Sequence, residues 1–153
     1  MLRSVVNGLG EAVCAVSPVY ETAPWGGVDQ GPFLNAVVIA EDPALDGRGW
    51  LRRAHELEQT ADRVRAQRWG PRTLDVDIVT CRVDGRELIS CDADLTLPHP
   101  RAHQRAFVLV PWLAIEPDAV LTIAGRPRRV EELLAALDAP ERDGVRRTDL
   151  VLR

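Results

Sequence analysis

Leu74-Asp75-Val76-Asp77-Ile78 sets two carboxylates at alternate positions of an apolar run. In a strand, successive side chains point to opposite faces, so the apolar residues fall on one side and both acids on the other, about 6.6 Å apart along the axis. At an effective dielectric of 20 their repulsion is roughly 2.5 kcal/mol, less when well solvated, so a cation is expected beside them. Oxygen-ligated magnesium fits: it takes one or two carboxylates plus substrate phosphates and keeps its remaining waters. The competing reading is a half-exposed strand with an ordinary polar face.

Residues 62–72 hold Arg63, Arg65, Arg68 and Arg72 against Asp62 alone, and two of these arginines flank a Gly-Pro turn in RWGPR. A charge-assisted hydrogen bond contributes about 1.5–3 kcal/mol, against roughly 0–1 kcal/mol for an exposed arginine-aspartate pair, which makes phosphate the better partner. All 19 basic residues are arginine. That excludes a phosphate-loop lysine, a Schiff base and a lysine general base, leaving guanidinium forks, backbone amides or metal to handle phosphate. The net charge of -4 argues against a general nucleic-acid binder, which carries a basic surplus. A small anion is the expected ligand.

The chain that must position these groups has 153 residues, 46% hydrophobic and 27% charged, which reads as one soluble domain over 1–153 able to fold without disulfides or a structural metal. Cys14, Cys81 and Cys91 are odd in number and lack metal-ligand spacing, as expected of buried or incidental thiols in a reducing compartment. The longest apolar run, 107–115, is too short to span a bilayer, and Asn7 and Glu11 interrupt any signal-like core. The expectation is a cytoplasmic protein without membrane or nucleic-acid partners.

Leu2, Val5, Val6, Leu9 and Val13 recur at helical spacing, weakened by Gly8 and Gly10. Residues 14–22 and 33–41 read as strands around the turn-rich segment 23–32. Asp46 or Gly47 opens a helix striped by Leu51, Ala54, Leu57, Ala61 and Val64, with Glu58 beside the stripe. Residues 73–83 alternate as a strand that turns at Asp84-Gly85 into 86–90. A helix over 104–115 is expected to break at Pro111, and 128–138 repeats the helical period. These elements predict an α+β layer fold with a largely antiparallel sheet and helices packed on it.

RWGPRTLDVDIV at 68–79 resembles the signature of the 6-hydroxymethyl-7,8-dihydropterin pyrophosphokinases of folate biosynthesis. SPVYETAPWGGVDQGPFLNAVV at 17–38 and LTLPHPRAHQRAFVLVPW at 95–112 are similar to that family's other two blocks, in the same order. The resemblance implies a ferredoxin-like fold, its first strand absent from this sequence. It implies a monomeric ATP-dependent transferase that uses two Mg²⁺ to move pyrophosphate from ATP to the pterin's hydroxymethyl oxygen, releasing AMP. By the same resemblance Asp75 and Asp77 hold both metals, and Arg63 and Arg72 act in catalysis on a loop that closes over the substrates. Glu58, Arg65, Arg68, His99 and Arg105 lie around the nucleotide. Phe33 and Phe107 sandwich the pterin while Asn35 reads its amide edge, with Thr22, Pro24, Trp25 and Trp69 around it. Pro100 stands where relatives carry an aromatic, and the loop between Arg65 and Arg68 is one residue shorter than in some.

Two rival readings stand beside this one. The first is a binding-only or weakly active relative lacking the N-terminal strand. The second is an RNA-binding ferredoxin-like module, which requires aromatics at alternate positions of a central strand and a basic face, where this sequence has carboxylates. The resemblance also implies a strand and a Gly-Ser-Asn turn ahead of the first helix. In-frame codons before Met1 are expected to encode them, and a stop codon directly upstream in the gene refutes this.

Overall fold

The computed structural model describes residues 1–23, 32–65 and 74–153, and of residues 63–65 the backbone alone. Helix α1 (Leu2–Leu9) buries Val5 and Val6, then ends at Gly10. Val13, counted with the helical stripe in the sequence, opens a strand instead. Gly8, a weakness for helix formation, serves packing: a Cβ there would meet Leu57 Cδ2 at 2.5 Å, so a larger residue would make the Leu57 side chain shift.

The second helix, α2 (Gly47–Arg65), keeps the predicted stripe as far as Ala61, with Ala54, Leu57 and Ala61 buried, while the side chain of Val64 lies outside the described residues. Asp46 Oδ1 accepts the Gly49 N–H at 2.7 Å, satisfying one of the donors a helix start leaves open. Arg48 reaches from the first turn to Asp94 and Asp92 at 2.7 and 2.6 Å. The two acids raise the arginine's pKa further, and the guanidinium holds Asp94 below the usual carboxylate range.

Each long strand predicted in the first third is divided in two. β1 (Val13–Val16) pairs antiparallel with β4 (Val38–Ala40), and β2 (Tyr20–Thr22) with β3 (Phe33–Asn35). The break falls where Pro18 has no N–H to give. There the buried Ser17 takes over: its Oγ accepts the Val37 N–H and donates to Pro18 O, both at 2.8 Å.

The strand predicted over 73–83 forms a ladder only at its end. β5 (Arg82–Val83) pairs with β6 (Arg86–Glu87) across Asp84 and Gly85, whose positive φ angles of 52° and 77° are those of the tight turn the Asp-Gly pair predicts. Residues 74–81 have no ladder partner among the described residues. Their main chain is tied by single bonds: Val76 N–H to a Glu58 carboxylate oxygen at 3.4 Å, and Val79 O and Cys81 O accepting from His99 and Leu88, each at 2.8 Å.

Next come β7 (Ser90–Asp92) and β8 (Leu95–Leu97), a hairpin, and helix α3 (Ala106–Ile115). The predicted break at Pro111 does not occur. The helix runs through, giving up the bond Pro111 cannot donate to the Phe107 carbonyl, and seats Leu109, Pro111 and Trp112 in the core. β9 (Val120–Ile123) and β10 (Arg126–Arg129) form a hairpin that displaces the expected start of the next helix, so α4 covers only Val130–Ala135. A short α5 (Ala139–Asp143) leads to β11 (Val145–Arg147), which pairs with β2.

Every ladder among the described residues is antiparallel, and the α+β expectation holds at that level. Three apolar clusters fill the interior. One joins α3, α4 and β9 around Leu109, Leu121 and Val130; one joins α1 and α2 to Leu74 and Val76; the third gathers Cys81, Leu95 and Leu97 with Ile78. No helix among the described residues is long and apolar enough to cross a membrane. All three cysteines are free: Cys81 is buried, its thiol pushed up by that burial and by Asp46, whereas Cys14 and Cys91 are exposed. Leu57 is the hinge of the second cluster. Leu57→Ala is expected to lower unfolding stability by about 2–5 kcal/mol in a urea titration, and an unchanged midpoint contradicts this packing.

Candidate active site

Packing of residues 74–81 sets the orientation of the acid pair. Leu74 is buried and Val76 half-buried against α1 and α2, while Asp75 and Asp77 are both exposed. The alternating burial over 74–77 matches the two-faced pattern that the sequence predicts. Both acidic side chains are open to solvent and so accessible to a ligand. Among the described residues no three histidine, cysteine or acidic side chains stand together as a metal cage. Two carboxylates completed by phosphate oxygens and water are the donor set that magnesium accepts, so the pair fits that ion. Glu58 lies behind them on α2, one oxygen of its carboxylate accepting the N–H of the residue between the two acids.

His99 is seated beside this pair. Its N–H donates to Val79 O at 2.8 Å, two residues beyond Asp77, and the imidazole feels the charges of Asp77, Arg105 and Arg101. Burial pushes its pKa below the ordinary 6.5; Asp77 pulls it up, and Arg105 and Arg101 push it further down. Nδ1 accepts the Arg101 N–H at 3.2 Å, so the neutral ring carries its proton on Nε2, as a donor. Arg101 went unnoticed in the sequence, although two residues from the histidine its main chain fixes the tautomer.

Arg105 stands at the entry to α3. Its carbonyl accepts from Val108 and Leu109 at 3.0 and 3.1 Å, and its guanidinium carbon lies 5.5 Å from the centre of the Phe107 ring, a cation-π contact. α3 packs on β2 and β3. In that ladder Thr22 is opposite Phe33 and Tyr20 opposite Asn35, so Thr22, Phe33 and Asn35 share one face of the hairpin. Phe33 is 50% exposed, an apolar ring that a flat ligand would cover.

Five predicted residues, Pro24, Trp25, Arg68, Trp69 and Arg72, lie outside the described residues, as do the side chains of Arg63 and Arg65 at the end of α2. The structure thus brings together Asp75, Asp77, Glu58, His99 and Arg105, and sets Phe107 on the helix that packs against the strands of Thr22, Phe33 and Asn35. A cavity of about 360 Å³ lined by Val16, Ser17, Pro18 and residues 147–153 contains none of them.

The lowered His99 pKa has a consequence for stability. Below 6.5 the unfolded chain takes up a proton that the folded imidazole resists, so this contribution is complete above 6.5 and is lost as the pH falls through the depressed folded value. Unfolding stability is expected to decline over that range, and His99→Asn to flatten the decline. Equal slopes in the two proteins, measured by denaturant titration from pH 7.5 to 5, rule the assignment out.

Comparison with known proteins gives the site a lineage. A family model described as 7,8-dihydro-6-hydroxymethylpterin-pyrophosphokinase matches residues 1–117. A 2-amino-4-hydroxy-6-hydroxymethyldihydropteridine pyrophosphokinase of Mycobacterium leprae is 61% identical over 158 residues, covering 99% of this chain and 83% of the relative. The protein of that name from Mycobacterium tuberculosis strain H37Rv is 57% identical over 150 residues, covering 95% and 80%. A third, from Methylorubrum extorquens, is 43% identical over 142 residues, covering 90% and 84%. The chain belongs to the 7,8-dihydro-6-hydroxymethylpterin-pyrophosphokinase family.

Proposed function

We propose that this chain transfers pyrophosphate from ATP to 6-hydroxymethyl-7,8-dihydropterin in folate biosynthesis, as a monomer in the cytoplasm, giving AMP and the pterin diphosphate. Family membership supports the reaction class. The observation that carries the mechanism is the exposure of Asp75 and Asp77, with His99 within electrostatic reach of Asp77 and of Arg105.

In this reading the pterin lies between Phe33 and Phe107, with Asn35 at its amide edge and Thr22, Pro24, Trp25 and Trp69 around it. Arg63, Arg65, Arg68, Arg72 and Arg105 grip the triphosphate, His99 donates from Nε2 to a phosphate oxygen, and Glu58 holds the acid-bearing segment close to the nucleotide. The hydroxymethyl oxygen bonds to the β-phosphorus while the bond from that phosphorus to the oxygen shared with the α-phosphate breaks. The electron pair leaves on AMP and the hydroxyl proton passes to solvent. Asp75 and Asp77 would hold two Mg²⁺, which when bound neutralise phosphate charge. Positioning and electrostatics then supply most of the rate.

We also read the fold as ferredoxin-like, with residues 74–81 an extended segment packed on it, outside any ladder among the described residues. The alternating burial of that segment and the antiparallel β1–β4 pair support this.

Formation of AMP from ATP and the hydroxymethyl pterin, followed by chromatography, tests the function. Asp75→Ala is expected to slow Mg²⁺-dependent turnover about 100-fold or more, as loss of a ligand for charge-neutralising metal requires. Turnover at the parent rate removes the metal assignment, and ligand binding without AMP from the unaltered chain favours the binding-only relative.

A further inference from the structure

The family model ends at residue 117, yet the chain beyond it returns to both walls of the candidate pterin site. On one side β11 pairs with β2, setting Val145 opposite Thr22 and Arg147 opposite Tyr20, and β2 in turn pairs with the strand of Phe33 and Asn35. On the other, Glu141 of α5 meets the start of α3: its Oε1 accepts the Ala106 N–H at 3.1 Å in a part-buried setting. Arg105, at the N-cap position, makes no side-chain cap of its own, and the first turn of α3 holds no acid. The carboxylate therefore satisfies a main-chain donor and places a negative charge at the positive end of the helix.

Ala106 lies between Arg105 and Phe107, whose cation-π contact depends on how that turn is set. We propose that Glu141 is a positioning residue for substrate binding, its carboxylate holding the start of α3 so that Arg105 and Phe107 stand ready against the β2–β3 hairpin. This rests on the pyrophosphokinase reading. A cap that served stability alone would lower Tm and the active fraction, seen in kcat, and leave KM unchanged.

The test is steady-state kinetics of the full chain with the pterin varied, alongside thermal melts. Glu141→Ala is expected to raise KM for the pterin about fivefold, and Glu141→Gln, which keeps an acceptor oxygen, to restore most of it. Glu141→Asp retains the charge but draws it back by one methylene and falls between; it decides the matter should the alanine variant not fold. A parent-like KM in the alanine variant, or in the aspartate variant in its place, overturns the inference. Absence of turnover in the unaltered chain overturns the functional reading beneath it.

Discussion

The site depends on how residues 74–81 are embedded. Their apolar side chains are divided among all three interior clusters: Leu74 and Val76 join the helices α1 and α2, Ile78 and Cys81 join β8, and Val79 packs with Val37 against the α3–α4 cluster. A one-residue slip of such a segment exchanges its two faces, driving carboxylates into apolar contacts and apolar groups into water. Three separate packings oppose that slip. Hydrophobic burial, which is non-directional, here produces a directional result: two acids left exposed between apolar neighbours.

The electrostatics around the pair follow from what each group is tied to. Asp75 and Asp77 are exposed, whereas His99 is half-buried, bound through its main-chain N–H to the same segment, and its pKa is held low by that burial against the pull of Asp77. A neutral imidazole with its proton on Nε2 offers a donor without adding a further cation among Arg101 and Arg105. Positive charge in this region is thus carried by arginine, which stays protonated across the physiological range. The metal-binding candidates and the phosphate-binding candidates remain chemically distinct although they are neighbours.

Helix α3 shows a similar economy. Pro111 removes one internal hydrogen bond and lies fully inside the core, so the helix is held by its surroundings more than by its own ladder. Its first turn, where Arg105 and Phe107 stand, is in turn fixed by the 3-10 turn Ala102–Gln104 before it and by Glu141 from the end of the chain. The first contact is local in sequence; the second reaches across from the end of the chain.

The sequence by itself determined the chemistry and its local periodicities. Alternation at 74–78 predicted the outward acids, the stripe of α2 predicted its buried face, and Asp84-Gly85 predicted a tight turn, because each signal lies within a few residues of its effect. Only the tertiary structure decided the rest. The breaks at Pro18 and after Asn35 are stabilised by Ser17 and Val37 across the sheet, and the helix through Pro111 persists because its flanks are buried. The Glu141 cap joins residues 35 apart in the chain, and the ladder expected for 74–81 needed a neighbouring strand that the described residues do not provide. Local propensity fixes what a residue prefers, while a hydrogen-bond partner or a cavity filled from elsewhere in the chain is settled only when the whole chain has packed.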